Sequence, residues 1–509
     1  MQPSFPSSAE SPLSDPQALF RLIDRHGRGF FSLEELQLAL AAEGILPDDQ
    51  RIGRLMQESG ETRIDAAQWE ELLQRHHIVQ RALLKELVIP EFAAFRQSLE
   101  EIFEETKKNE KGKVADYIPQ LARVDPDQFA VSVCTIDGQR FSLGDASTNF
   151  CLQSTCKPVN YCLAMDELGE EKVHSHVGRE PSGRTFNELS LNNDGLPHNP
   201  LINAGAIMCL SLLKRELSPA DRFDYVFDTW RRLCAGHAPA FNNAVYLSER
   251  QTADRNFALA YFMREKKAFP PDTDLIEALE FYFQCCSIES CTHHLALAAA
   301  TLANAGINPL TDEEIFDDET VQHCMSLMLT CGMYDFSGEF AFRIGLPAKS
   351  GVSGALFLVV PNVMGISIWS PRLDKIGNSV RGVEFCERLI ERYNFHLFDS
   401  LTRETAKINP RRRKYEGEFH RHIHLLYAAS CGDLDEIKRL EAAGADLNLS
   451  DYDGRTALHL AVAENRPEVV AYLLSRQVDR TKQDRWGNTP LEEARRLEFA
   501  ALVGLLARG

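Results

Sequence analysis

A serine and a lysine stand three residues apart in the segment Ser154-Thr155-Cys156-Lys157. Positions i and i+3 share one face of a helix, so this hydroxyl and this amine can touch. A hydroxyl becomes a strong nucleophile when a base removes its proton, and lysine is such a base only as the free amine. The pair predicts acyl transfer through Ser154, although a chain of this length contains such a spacing about once by chance.

A second motif, Lys349-Ser350-Gly351, precedes an apolar stretch near the end of the same segment. In penicillin-recognising serine enzymes, an S-x-x-K helix faces a K-[ST]-G edge strand, and the order and contexts are the same here. We expect Lys349 to supply the cation that lowers the pKa of Lys157. We also expect the backbone N–H groups of Ser154 and Val352 to form an oxyanion hole.

Two predicted hairpins frame these motifs. Apolar runs within 129–143 flank Asp137-Gly138, and similar runs fill 354–369. Such runs around a tight turn are typical of antiparallel hairpins. A mainly helical stretch at 151–335 separates the hairpins, and a helix at 383–393 closes the segment. The pattern predicts an α+β fold of the serine β-lactamase type, in which helices pack on one antiparallel sheet.

The N-terminal segment, 1–92, resembles an EF-hand. Its twelve-residue loop begins at Asp24, turns at Gly29 and ends at Glu35. Calcium requires oxygen ligands at the third and fifth loop positions, which are histidine and arginine in this chain. We predict an all-α, EF-hand-like region that binds no calcium.

The C-terminal segment, 420–509, contains a repeat of 33 residues. The core Gly454-Arg-Thr-Ala-Leu458 recurs as Gly487-Asn-Thr-Pro-Leu491. This period and core are typical of ankyrin repeats, which are stable only when stacked. We predict two full units and a leading fragment that lean on another domain or subunit and bind a protein partner. A basic linker at 406–419 joins them to the central catalytic domain, 93–405.

The composition excludes several classes of partner. The net charge of −19 argues against nucleic acid and against an anionic membrane. Thirteen cysteines without a CxxC pair suit reduced thiols in a cytosol. The apolar run 355–370 is interrupted by Pro361-Asn362, so we interpret it as strands and not as a membrane span. With no visible signal or transit peptide, we predict a cytoplasmic, bacterial protein, with a processed protein of the mitochondrial matrix as the alternative.

The central segment resembles the serine-dependent glutaminase family over residues 115–395, and the domain plan resembles that of its kidney-type members. The resemblance is carried by these blocks: Tyr117-Ile-Pro-Gln-Leu-Ala122, Leu152-Gln-Ser154, Lys157-Pro158, Pro197-His-Asn-Pro200, Asn203-Ala-Gly-Ala-Ile207, Ser248-Glu-Arg250, Asp254-Arg-Asn-Phe257, Phe281-Tyr-Phe283, Cys331-Gly-Met-Tyr-Asp-Phe-Ser-Gly338 and Leu346-Pro-Ala-Lys-Ser-Gly-Val352.

This resemblance implies an enzyme that hydrolyses L-glutamine to L-glutamate and ammonia without a cofactor or metal. It assigns Ser154 as nucleophile and Lys157 as base, Tyr334 to proton transfer, and Tyr117 to a place near the leaving ammonia. It assigns substrate binding to Ser154, Asn203, Glu249, Asn256, Tyr282, Tyr334 and Val352. Lys349 and Gln153 are supporting residues. A carboxylate such as Glu249 suits an α-ammonium group.

One loop departs from the family pattern. Glu188 and Ser190, on either side of Leu189, stand where kidney-type members have lysine and phenylalanine. Three properties of kidney-type members therefore do not carry over directly to this chain. They are activation by phosphate or another anion, assembly controlled by this loop, and sensitivity to inhibitors that bind at this loop. The resemblance also implies a homo-oligomer: a dimer, a tetramer or possibly a filament.

Four other interpretations compete with this one. Cys156 is a possible nucleophile, but a buried structural thiol is the commoner case. His420, His422 and His424 suggest a metal site, but no carboxylate or cysteine cluster accompanies them. The chain could also be an inactive ankyrin scaffold, or another S-x-x-K hydrolase such as a β-lactamase or peptidase. We find no clear S-x-N or Y-x-N motif to favour a β-lactamase or peptidase.

Overall fold

The computed structural model describes residues 16–507, except for 60–62, 184–187, 402–406, 412–417 and 443. The chain forms two compact units, one of residues 1–91 with 412–509 and the other of residues 92–411. Much of the predicted basic linker lies outside the described residues.

The N-terminal region consists of two helix–loop–helix halves. Its elements are α1 (Pro16–Ile23), β1 (Phe30–Ser32), α2 (Leu33–Ala42), α3 (Gln50–Ser59), β2 (Arg63–Asp65), α4 (Ala66–Arg75) and α5 (His77–Leu83). The two short strands pair antiparallel, with Phe31 opposite Ile64. The Arg28 guanidinium donates to Glu35 at 2.6 Å, so this acid is engaged inside its own loop. The EF-hand-like assignment and its lack of calcium stay predictions.

The catalytic unit alternates a sheet with a large helical insert. Its helices are α6 (Phe92–Lys107), α7 (Lys157–His174), α8 (Asn203–Leu212), α9 (Pro219–Leu233), α10 (Asn243–Gln251), α11 (Asp254–Glu265), α12 (Leu275–Cys286), α13 (Thr292–Ala303), α14 (Asp318–Cys331), α15 (Ser337–Arg343) and α16 (Val380–Arg392). Its strands are β3 (Ala130–Thr135), β4 (Arg140–Gly144), β5 (Phe150–Cys151), β6 (Ala240–Phe241), β7 (Ile288–Ser290), β8 (Ala348–Ser350), β9 (Ala355–Val360) and β10 (Met364–Trp369).

The main sheet has the order β4-β3-β10-β9-β8, and every neighbouring pair is antiparallel. Helix α13 packs against its central strands. The approach is so close that a Cβ at Gly365 would lie 2.2 Å from the Ala300 nitrogen. Both predicted hairpins, the closing helix and the α+β class are confirmed. The sheet β5-β7-β6 was not predicted, because its strands have only two or three residues.

The repeat segment forms three helix pairs instead of two and a fragment. The pairs are α17 (Glu418–Cys431) with α18 (Leu434–Ala442), α19 (Ala457–Ala463) with α20 (Pro467–Ser475), and α21 (Pro490–Arg496) with α22 (Ala500–Ala507). Ala428, Ala461 and Ala494 repeat at 33 residues and are all buried. The first pair lacks the G-x-T-x-L core, which explains why its sequence was interpreted as a fragment.

The repeats lean on the N-terminal region within their common unit. Helix α1 packs on α18, and Ala442 belongs to the N-terminal hydrophobic core. Ion pairs join Arg21 to Glu441 at 3.8 Å and Arg25 to Asp435 at 3.2 Å. The N-terminal region therefore provides the support that the short array was expected to need. In the described part of the chain, no helix is both long enough and apolar enough to cross a membrane.

Candidate active site

Ser154 and Lys157 lie at one junction between sheet and helix. A 3₁₀ turn at Gln153–Cys156 leads directly into α7, which begins at Lys157. Ser154 is 7% exposed and Lys157 is 1% exposed. Gln153 has φ of 50°, a conformation that is uncommon outside glycine and is often found at functional sites. The predicted nucleophile lies in this turn, and the predicted base follows it three residues later at the start of α7.

The Lys157 amine is enclosed by protein. Its Nζ donates to Oδ1 of Asn203 at 2.7 Å and lies 5.8 Å from the centre of the Tyr282 ring. Burial lowers the pKa of Lys157, because desolvation disfavours the ammonium form. A lowered pKa favours the free amine that a general base requires.

Lys349 lies on the edge strand β8 and is completely buried. Its Nζ donates to the carbonyl oxygens of Gly332 at 3.0 Å and Ser350 at 2.7 Å, and lies 4.5 Å from the centre of the Tyr334 ring. Burial, followed by repulsion from Lys157, lowers the pKa of Lys349 well below its ordinary value. The lowering of the Lys157 pKa that was expected from the Lys349 cation arises from burial instead.

Tyr334 occupies a second strained turn, with φ of 56°. Burial raises the pKa of its phenol, while contacts with the Ser154 and Ser350 hydroxyls offset part of the rise. The phenol is therefore neutral near pH 7 and able both to donate and to accept a proton. This geometry brings Tyr334 to the predicted nucleophile.

Three predicted substrate-binding residues form a connected network. The Tyr282 hydroxyl donates to Asn203 Oδ1 at 3.2 Å, and Asn203 Nδ2 donates to Asn256 Oδ1 at 2.9 Å. Asn203 begins α8, where a Cβ at Gly205 would lie 1.9 Å from the Asn199 carbonyl oxygen. The glycine allows this close approach, and the network ties the amide group of Asn203 to the Lys157 amine.

Glu249 forms the acidic side of the site. Gln153 Nε2 donates to its Oε2 at 3.1 Å and to the Cys286 carbonyl at 3.3 Å. Burial raises the pKa of Glu249 to about 7, although the Gln153 hydrogen bond and the Lys157 charge act against the rise. Tyr117 is 50% exposed. Burial of its hydroxyl and the nearby charge of Glu249 raise the pKa of Tyr117, which places that hydroxyl beside the site.

Val352 and its neighbours bring the edge strand against the nucleophile turn. Val352 is buried and packs with Tyr334. A Cβ at Gly351 would lie 3.0 Å from the Leu152 carbonyl oxygen and 3.1 Å from Thr155 Cγ2. This contact brings Val352 near Ser154. An oxyanion hole formed by the N–H groups of these two residues requires such proximity.

Two residues that contact the site, Gly332 and Cys286, were not predicted as site residues. The Gly332 carbonyl holds Lys349, and a Cβ at Gly332 would lie 1.7 Å from the Ala348 oxygen. Cys286 was treated only as a buried thiol, but its side chain contacts Tyr282 and Cys156. Gly332 lies inside a block quoted for the resemblance, whereas only the folded structure brings Cys286 to the site.

The alternative sites have different surroundings. Cys156 is fully buried in the hydrophobic core, and its Sγ accepts from Asn160 Nδ2 at 3.5 Å. His422 Nε2 contacts the Ser450 carbonyl at 3.0 Å, and the His420 side chain lies outside the described residues. These contacts suit structural roles.

The loop that differs from the family pattern, around Glu188 and Ser190, is described only in part. In its described portion, the Ser190 N–H donates to the Glu188 carbonyl at 2.9 Å. Leu189, between them, is about half exposed. This stretch is therefore accessible at the surface of the catalytic unit.

Family comparisons agree with the division seen in the fold. The glutaminase family model matches residues 112–398, and a model for three ankyrin repeats matches residues 425–508. "Putative glutaminase 3" of Caenorhabditis elegans is 46% identical over 506 residues, covering 96% of this chain and 87% of that protein. "Glutaminase liver isoform, mitochondrial" of Mus musculus is 43% identical, covering 94% and 81% of the two chains.

Solved structures resemble the catalytic unit. "Probable glutaminase ybaS" is 36% identical with a TM-score of 0.55, covering 58% of this chain and 94% of that one. A structure of "Mglu in its glutamate form" is 34% identical with a TM-score of 0.55, covering 59% and 68%. With a family model over more than half of its residues and relatives matched along nearly all of its length, the chain belongs to the glutaminase family.

Proposed function

We propose that this chain hydrolyses the side-chain amide of L-glutamine through an acyl-enzyme on Ser154. Family membership supports the substrate and the reaction. The observation that carries the mechanism is the environment of Lys157, which is buried, has a lowered pKa and stands one helical turn from Ser154. A free amine at this position provides the base that a serine nucleophile needs.

Acylation begins when Lys157 takes the Ser154 proton and Oγ attacks the amide carbon of the substrate. The negative oxygen of the tetrahedral intermediate accepts hydrogen bonds from the N–H groups of residues 154 and 352. Tyr334 passes the proton taken up by Lys157 on to the nitrogen, the C–N bond breaks, and ammonia leaves past Tyr117, so that Lys157 is again a free amine. Water then attacks the glutamyl ester with the same base, and glutamate is released as Ser154 regains its proton.

Charge complementarity supports an α-amino acid substrate. The Glu249 carboxylate suits the α-ammonium group. Asn203, Asn256 and Tyr282 have amide and hydroxyl donors, which suit the α-carboxylate. Their hydrogen-bonded network holds these three side chains together. The two polar regions therefore recognise opposite charges of the same α-carbon.

The direct test is release of ammonia and glutamate from L-glutamine, with and without phosphate. Wild type is expected to turn over, and Ser154→Ala is expected to lose at least about 10³-fold of kcat, because no other hydroxyl replaces the nucleophile. The phosphate comparison shows whether Glu188 and Ser190 alter activation. Absence of turnover by wild type under both conditions would instead favour the inactive scaffold.

The titration of Glu249 predicts a pH-dependent KM. Because burial raises the Glu249 pKa to about 7, the carboxylate becomes protonated as pH falls through this value and no longer pairs with the α-ammonium group. We expect the KM for glutamine to rise below pH 7, approaching about tenfold per pH unit. Steady-state kinetics from pH 6 to 8.5 measure this. In Glu249→Gln, the KM should be high throughout and lose this pH dependence; a wild-type KM that stays flat would contradict the assignment.

Assembly, partners and compartment also belong to the proposal. The family supports a homo-oligomer of at least two chains, and light scattering of the full chain measures its size. The ankyrin repeats support a protein partner. The cytoplasm is the compartment we propose, and the mitochondrial names of the mouse and rat relatives support the matrix alternative.

A further inference from the structure

A second cluster of side chains able to bind a ligand joins α7 and α14. The cluster contains Glu170, Glu319 and His323, and one ligand atom from each lies within 4.8 Å of the other two. Glu319 and His323 are four residues apart on α14 and therefore share one face of that helix. Glu170 follows a kink at Gly169 near the end of α7. Within the described ranges, no other group of three acidic, histidine or cysteine side chains comes this close.

His323, whose side chain is partly buried, has one ring nitrogen that no hydrogen bond uses. Its Nδ1 is buried and, among the described residues, has no hydrogen-bond partner. The neighbouring His174 differs, because its Nε2 contacts the Tyr161 hydroxyl at 2.9 Å and its Nδ1 contacts the Val177 carbonyl at 3.0 Å. Buried polar atoms in native proteins are normally satisfied. The His323 ring, which lies next to two carboxylates and is not fully hydrogen-bonded, is therefore a potential ligand.

The two carboxylates lie close enough to repel each other. Both are exposed, and Glu170 forms an ion pair with Arg179 at 2.5 Å that offsets one of the charges. A dication would offset both charges. Because the two side chains are exposed, they are able to turn toward an ion without disturbing the core.

We propose that Glu170, Glu319 and His323 bind a divalent cation of the zinc type. One imidazole nitrogen with two carboxylate oxygens is a zinc donor set, with water completing the tetrahedron, whereas calcium and magnesium prefer oxygen ligands alone. Ligand atoms around zinc are roughly 3.3 Å apart. The three side chains therefore have to close by about 1.5 Å.

The ion would join two helices that also carry or precede residues of the catalytic site. Helix α7 begins at Lys157, and Glu170 follows its kink at Gly169. Helix α14 is followed by Gly332 and Tyr334. The helices already touch near the site, where Cys324 Sγ donates to the Pro158 carbonyl at 3.6 Å. A metal at this cluster would therefore stiffen the helix pair, and its three ligands are not among the residues assigned to the chemistry.

Zinc titration calorimetry on the full chain, after treatment with EDTA and desalting, tests the proposal. Wild type is expected to bind one Zn²⁺ per chain in a phase with Kd of about 10 μM or tighter, and to melt at a higher temperature with zinc than without it. Glu319→Gln/His323→Gln is expected to weaken this phase at least tenfold. Glu171→Gln removes an equal charge one residue from Glu170 and is expected to keep the affinity within about twofold.

Two results would overturn the proposal: no zinc binding by wild type, or the same stoichiometry and affinity in the double variant, which would assign the ion to other histidines. The metal-free double variant should melt within about 2 °C of wild type. If it melts lower, Glu319→Gln alone serves in its place. Neither readout depends on glutamine hydrolysis, so the proposal stands or fails apart from the proposed enzyme activity.

Discussion

Lys157→Met is expected to lower kcat by about 10⁴-fold while leaving the fold intact. General-base catalysis contributes roughly 10² to 10⁴ in rate, and the loss is largest when base and nucleophile act as a unit. The methionine stem fills the volume that the lysine stem occupies. Asn203 Oδ1 loses its bond from Lys157 but still accepts one from Tyr282. Glutamate release measures the rate, and thermal unfolding should show a Tm within a few degrees of wild type.

Lys438→Met is the matched control for this substitution. Lys438 is also largely buried, but it lies in the ankyrin repeats and belongs to the other compact unit. Its kcat should stay within about twofold of wild type. Turnover by Lys157→Met at a rate near that of wild type would remove Lys157 from the mechanism, since no substitution of this kind preserves a general base.

Gly332→Ala is expected to lower the Tm by about 5 °C and to reduce kcat strongly. The new Cβ would lie 1.7 Å from the Ala348 oxygen and 2.5 Å from the Met328 oxygen. Both neighbours are backbone atoms, so strand β8 has to move away from the end of α14. Overpacking of this kind costs about 1–3 kcal/mol, or roughly 2 °C per kcal/mol in a unit of this size. The movement also displaces Lys349, which the Gly332 carbonyl holds.

Gly338→Ala is the control for this prediction. Gly338 lies in α15, has no heavy atom within 4 Å of the added Cβ, and requires no positive φ. Alanine favours helix there, so the Tm should be unchanged or slightly higher. Equal behaviour of the two variants in thermal unfolding and glutamate release would show that close packing at Gly332 does not position the edge strand.

Local patterns predicted the framework of the catalytic unit well. The pairs of apolar runs around Asp137-Gly138 and Pro361-Asn362 correspond to the hairpins β3–β4 and β9–β10. The S-x-x-K and K-S-G motifs fall on the expected turn and edge strand. Turns and alternation depend on neighbouring residues, so a sequence expresses them directly.

The same local patterns did not predict contacts between residues that are far apart in the sequence. Gln153 reaches Glu249 across 96 residues, and this hydrogen bond has no local signal. The lowered pKa of Lys157 was expected from a neighbouring cation, but it arises mainly from burial by elements far apart in the chain. The first ankyrin pair was underestimated, because it lacks the consensus core and packs on α19 through residues that give no such local signal.

The packing of α1 on α18 has a consequence for synthesis of the protein. The chain leaves the first unit at residue 91 and returns to it at residue 412, so the whole catalytic unit is inserted between two halves of another fold. At ribosomal rates of about 5–20 residues per second, α1 waits roughly 20–80 s for its partner helix, long enough for the inserted unit to fold first. During that interval the face of α1 that α18 later covers is exposed and available to chaperones. A truncated product that ends before residue 434 leaves that face uncovered permanently, so quality control can distinguish it from the full chain.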